Sequence, residues 1–128
     1  MREPKWLSAR TLLALHQMHL AHYGGDERVR SRGLVELALT RPQQVYYSGR
    51  EVSLPRLAAA YVFAIAPERP FEDGNRRTSL LAAALFLEKN GLRFQAPETE
   101  AVTAIRLVES GEWTEERLGE WLLRNSAK

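Results

Sequence analysis

Apolar residues recur at helical spacing in six stretches of this chain, and strict alternation is never long enough to set up a sheet. The first stretch, about Ser8 to His22, has a serine to cap its start and apolar positions at Leu12, Leu13, Leu15, Leu20 and Tyr23. Gly24-Gly25 ends it. The second runs from about Ser31 to Thr40 with Leu34, Leu37 and Ala38 on one stripe. Arg41-Pro42 is predicted to close it, because a proline disfavours helix in the residue before it. The third, about Ser53 to Ala66, opens on a serine cap with a proline in the first turn, and its apolar residues lie nearly all round. Pro67 stops it. The fourth, Asn75 to Asn90, is again apolar on most sides and closes at Gly91. The fifth, about Glu98 to Glu109, carries Ala101, Ala104, Ile105 and Val108, and Gly111 ends it. The sixth starts at a Thr114 cap, with Glu115 and Glu116 placed well for the helix dipole and Leu118, Trp121 and Leu122 on one face.

The pattern predicts one all-α domain of about six helices over residues 1–128, with the helices near 54–66 and 75–90 central and packed together. Strand is confined to two places. Residues 43–52 are rich in strand formers around a Ser-Gly turn and read either as a short hairpin or as a loop with buried tyrosines. Arg93-Phe94-Gln95 is the other candidate.

Composition narrows the class. Hydrophobic residues at 45% and charged residues at 27% over 128 positions suit a soluble globular protein, not a disordered one. No apolar run reaches a membrane span, the N-terminus lacks the apolar core of a secretion signal, and there is no cysteine. A cytoplasmic protein is expected. The net charge of +2 hides an asymmetry: residues 1–50 hold eight Lys/Arg against four Asp/Glu. The basic residues there are scattered, so a solvated face is the better reading and direct nucleic-acid binding is not expected.

The densest chemistry lies in Arg69-Pro70-Phe71-Glu72-Asp73-Gly74-Asn75-Arg76-Arg77-Thr78, at the mouth of the fourth helix. The free backbone N–H groups and positive dipole end of a first helical turn attract anions. Gly74 lets the backbone approach a phosphate, Arg76 and Arg77 can fork onto its oxygens, and Asp73 is a hard ligand suited to Mg²⁺. Each residue also has a plain structural reading: Asp-Gly-Asn is common turn chemistry, Asp73 an N-cap, the arginines surface charges. Two arginines at a helix N-terminus nevertheless oppose the dipole, and a local rule broken without visible gain points to function. Phe71 is the expected anchor of the loop. No residue of the decapeptide is an evident proton acceptor unless Glu68 or Glu72 serves. His16, His19 and His22, spaced three apart, cannot share one helical face and read as packed or surface histidines, not as a metal site.

The decapeptide resembles the signature of the Fic/Doc family, His-x-Phe-x-Asp/Asn-Gly/Ala-Asn-Lys/Arg-Arg. Phe71, Asp73, Gly74, Asn75, Arg76 and Arg77 match it, and Thr78 is the residue usual in the death-on-curing (Doc) branch. Leu15-His16, Tyr23-Gly24-Gly25 and Phe86-Leu87-Glu88-Lys89-Asn90-Gly91 extend the likeness over nearly the whole chain. Arg69 stands where the family has its His.

The resemblance implies a toxin of a toxin–antitoxin system that transfers the terminal phosphate of ATP to a hydroxyl of elongation factor Tu and stops translation. Gly74 and Asn75 would form the anion hole, Arg76 and Arg77 would bind phosphate, and Asp73 would hold Mg²⁺. A flap at about residues 43–52 would hold the target segment. The family His takes the acceptor's proton. Arg69 cannot, since a guanidinium stays protonated and has no acceptor, so the chain is expected to be impaired. Arg69 is either a detoxifying replacement or the mark of a natural pseudoenzyme. Nucleotidyl transfer of the Fic type and non-catalytic nucleotide or partner binding are the alternatives. No Glu here is followed by Gly or Asn, so the inhibitory-helix pattern of many Fic proteins is missing and restraint is expected from a separate antitoxin.

Overall fold

A computed structural model describes residues 3–49 and 51–128. It contains six helices: α1 Ala9–Tyr23, α2 Arg32–Tyr46, α3 Leu54–Ile65, α4 Asn75–Lys89, α5 Glu98–Glu109 and α6 Glu115–Arg124. Two-residue strands β1, Arg93–Phe94, and β2, Ser126–Ala127, pair antiparallel and tie the chain end to the turn after α4. The expected all-α architecture is observed.

Local chemistry sets most of the helix starts. The hydroxyls of Ser8, Ser31, Ser53 and Thr114 each accept the backbone N–H three residues on, at 3.1–3.2 Å. Each satisfies one of the four donors a helix start leaves unpaired. At α4 the capping residue is Gly74 with φ +82°, and no side chain caps the first turn.

α3 is the centre, packed against α2, α4 and α6. Ala58, Ala59, Ala60 and Ala64 are buried on it, and small side chains let three helices approach it closely. Ala82 and Ala83 do the same on α4. Tyr61 is fully buried; its hydroxyl accepts the Leu7 N–H at 3.0 Å, and burial pushes its pKa up to about 12. The polar end of this ring fastens the segment before α1 to the core.

Two expectations need correction. Arg41-Pro42 does not close the second helix, which continues to Tyr46 with Pro42 buried inside it. A proline in a helix interior removes one hydrogen bond and costs about 3 kcal/mol. Here the next turn places Val45 and Tyr46 against the core, with Tyr46 edge-on to Trp6 at 5.6 Å, and that burial offsets the loss. The hairpin at 43–52 is also absent: residues 43–46 are helical, 47–49 form a turn, and 51–52 pair with no strand. Arg50 lies outside the described residues. Tertiary contact overrode strand propensity here: in the helix Tyr46 packs on Trp6 and the core.

Candidate functional site

Residues 66–74 carry the chain from α3 to α4, and the loop is held by three sets of contacts. Phe71 is fully buried, with its ring nearly parallel to that of His16 at 3.8 Å between centroids and 10° between planes. Asn75, only 2% exposed, closes the loop on itself: its Oδ1 accepts the Phe71 N–H at 3.0 Å and its Nδ2 donates to the Phe71 carbonyl at 2.8 Å. His16 sits 2.9 Å through Nε2 from the Asp73 carbonyl. A carbonyl only accepts, so the His16 proton is on Nε2.

The third set comes from the connection between α1 and α2. Arg30 N–H and Ser31 N–H donate to the Pro70 carbonyl, Glu72 N–H donates to the Arg28 carbonyl, and Val29 bridges Phe71 in antiparallel fashion. The Arg30 guanidinium reaches the carbonyls of Glu68 and Arg69, both at 2.6 Å. Residues 28–31 therefore run as an extended segment beside the motif. Alternation is too short there to be recognised; the neighbouring glycines and the glycine-to-serine loop length were the available signals.

The sequence-predicted site residues divide into inward and outward groups. Phe71, expected to anchor the loop, is fully buried. The Asn75 side chain, expected in an anion hole, is instead engaged by the Phe71 backbone. Arg69, Asp73 and Arg76 are exposed at the loop and helix start. Arg69 has φ +57°, a left-handed conformation unusual for a residue with a side chain, and its N–H still donates to the Ile65 carbonyl at 2.9 Å. Asp73 does not cap α4; its Oδ2 accepts the Asp26 N–H at 2.7 Å. Asp26 is in turn held to a pKa of about 2 by hydrogen bonds from Arg28. Arg76 pairs with Glu109 at 2.8 Å. Arg77 pairs with Glu98 at 2.5 Å and lies over the Tyr23 ring at 4.1 Å. The two arginines flank the helix start while α5 supplies their counter-charges.

α1 crosses this helix start and meets it at each turn. His16 reaches Asp73, His19 lies on Gly74, and Tyr23 lies under Arg77. The alignment of His16 with Leu12 at i, i+4 could have marked it as facing inward. Beside Arg77, between α1 and α4, opens a cavity of about 370 Å³ walled by Met18, His22, Tyr23, Leu81 and Phe94. Among the described residues no group of three His, Asp or Glu side chains forms a metal cage.

Comparison with known proteins agrees with this geometry. The Fic/DOC family model matches residues 6–87, from before α1 almost to the end of α4. The chain belongs to the Fic/Doc family. It is 34% identical over 98 residues to a protein named protein kinase doc from Escherichia phage P1, spanning 76% of this chain and 78% of that one. It is 39% identical over 77 residues to a protein named toxin Doc from Mycolicibacterium smegmatis, spanning 58% of each. The matched span holds the motif loop and both elements that clamp it, whereas α5, which supplies Glu98 and Glu109, lies beyond it.

One residue pair of this Fic/Doc member is directly testable. A Cβ built on Gly74 would collide with the His19 ring, and the positive φ disfavours a side chain besides. Gly74→Ala should lower stability by about 1–3 kcal/mol, and adding His19→Ala should recover part of it by emptying the space. Denaturant unfolding of the two single variants and the double variant checks this; strict additivity would show that the two residues do not meet.

Proposed function

We propose that this Fic/Doc chain is the toxin of a toxin–antitoxin pair, built to bind Mg-ATP at the start of α4 and to pass its terminal phosphate to a hydroxyl of a translation factor, elongation factor Tu. The observation that carries the reading is an exposed motif loop at a helix N-terminus with no side-chain cap, flanked by Arg76 and Arg77 and by the carboxylate of Asp73. The names of the two relatives, one a kinase and one a toxin, support it.

The chemistry of the site suits the ligand. The first-turn N–H groups lack a side-chain acceptor, and an anion is the partner such donors favour. Ion pairs as exposed as Arg77–Glu98 are worth roughly 0–1 kcal/mol, so a polyphosphate can draw the arginine away from α5 at small cost. Mg²⁺ is bound by one or two carboxylates together with substrate phosphates. Asp73, exposed and with only Oδ2 engaged, fits that demand. When bound, the ion would neutralise charge on the phosphate oxygens. In the transfer, the acceptor oxygen forms a bond to the terminal phosphorus, the bond to the ADP oxygen breaks, and the acceptor's proton must leave. Arg69 occupies the place of the base and cannot take it. The chain as written therefore binds and reacts weakly or not at all. Phosphoryl transfer ranks above nucleotidyl transfer on the Doc-like relatives alone.

A separate antitoxin completes the proposal, in keeping with the toxin name of one relative. The site of action would be the cytoplasm. Among the described residues no helix is long and apolar enough to cross a membrane. Calorimetry tests the site. Mg-ATP should bind the parent chain, and Arg77→Ala should weaken binding about tenfold or more. No binding by the parent, with no change on Arg77→Ala, would refute the reading.

A further inference from the structure

We propose that His19 is a further ligand-binding residue of this site: its Nε2–H, at the edge of Gly74, donates a hydrogen bond to the phosphate held at the start of α4. The inference rests on the phosphate-site reading above and adds to it a residue outside the motif, on a different helix.

Position comes first. The His19 ring atoms Cδ2 and Nε2 are its closest approach to the space where a Gly74 side chain would stand. The glycine at the helix start and the ring on α1 are thus complementary: the missing Cβ leaves a hollow, and the imidazole edge fills it. Gly74 is the capping residue of α4, so this edge lies beside the uncapped first turn. The ring is held there by Tyr23, stacked on it at 5.1 Å between centroids and 26° between planes. Tyr23 also lies against Arg77, the motif arginine. One aromatic ring therefore positions two phosphate-facing groups at once.

The tautomer follows from burial. His19 Nδ1 is buried and has no partner among the described residues. A proton on Nδ1 would be a buried donor without an acceptor, which is more costly than an unused lone pair. The neutral ring therefore carries its proton on Nε2. Nε2 has no protein partner among the described residues and is not enclosed as Nδ1 is, so it is open to a ligand. Burial lowers the pKa of His19, and the charge of Arg77 and the nearby His16 lower it further. Near neutral pH the residue is thus a fixed neutral donor, adding direction to the site without adding to the repulsion among its cations.

Two substitutions separate a hydrogen bond from mere packing. His19→Phe keeps a flat ring over Gly74 and against Tyr23 but has no donor. His19→Gln loses the ring and keeps a donor of similar reach. Calorimetry with inorganic phosphate, and then with Mg-ATP, is run on the full chain and both variants, with melting temperatures to compare their folds. The expected result is about tenfold weaker binding for His19→Phe with an unchanged melting temperature, and His19→Gln within about threefold of the parent. Binding by His19→Phe equal to the parent overturns the inference, as does equal loss in both variants, since that marks a packing role. A parent chain that binds neither probe overturns the phosphate-site reading and this inference with it, whereas a parent that binds and a Phe variant that binds alike removes this inference alone.

Discussion

Arg69→His should let the proposed nucleotide site transfer phosphate, with a rate gain of about 10²- to 10⁴-fold, the usual contribution of a general base. The backbone is already suited to the change. Residue 69 holds φ +57°, where histidine is enriched relative to most side chains, and Arg30 and Ile65 fix the peptide groups on either side of it. The substitution therefore changes which group accepts a proton and little else. Purified Arg69→His with terminally labelled ATP and elongation factor Tu should label the factor, while label at the first phosphate should not transfer. Expressed without an antitoxin, the variant should arrest growth, and the parent should be tolerated. Adding Asp73→Ala should abolish both effects by removing the proposed metal ligand. If Arg69→His transfers no label and is harmless, the chain is a binding protein of the Fic/Doc fold, and transfer of the first-phosphate label would make it a nucleotidyl transferase instead.

Phe71→Ala should be the most damaging single truncation in the motif, costing about 3–5 kcal/mol of a total stability typically near 5–15 kcal/mol. Phe71 is fully buried and stacked on His16, which in turn holds the Asp73 carbonyl. Its removal leaves a cavity under the loop and frees the ring that orients Asp73. A fall in melting temperature of about 10–20 °C is expected for a chain of this length. Phosphate binding should weaken beyond what the loss of stability explains, measured well below the melting temperature. A loss under about 1 kcal/mol would mean that the loop is held by Asn75 and Arg30 without its anchor.

The helices were legible because their signals are local. Ser8, Ser53 and Thr114 cap where expected, and the all-round apolar third and fourth stretches became α3 and α4 at the centre of the fold. The motif was legible for a related reason: an acid, a glycine and two arginines at a helix mouth form one chemical unit within ten residues. Pro42 misled because its cost is local, whereas the burial of Val45 and Tyr46 that outweighs it is not. Residues 43–46 misled similarly, strand-forming by type and helical by contact.

By itself the chain's order of residues determined the helical class, the position of most elements, the motif turn at the start of α4 and the arginine at residue 69 where the family signature has His. Tertiary structure alone decided what surrounds that turn. It brought residues 28–31 alongside the loop, sealed Phe71 under His16, set His19 in the hollow at Gly74, and drew Arg76 and Arg77 toward Glu109 and Glu98. These pairs are separated by 21 to 55 residues, and no periodicity within either partner encodes the other. What selects them is which faces remain apolar or charged once the helices have packed.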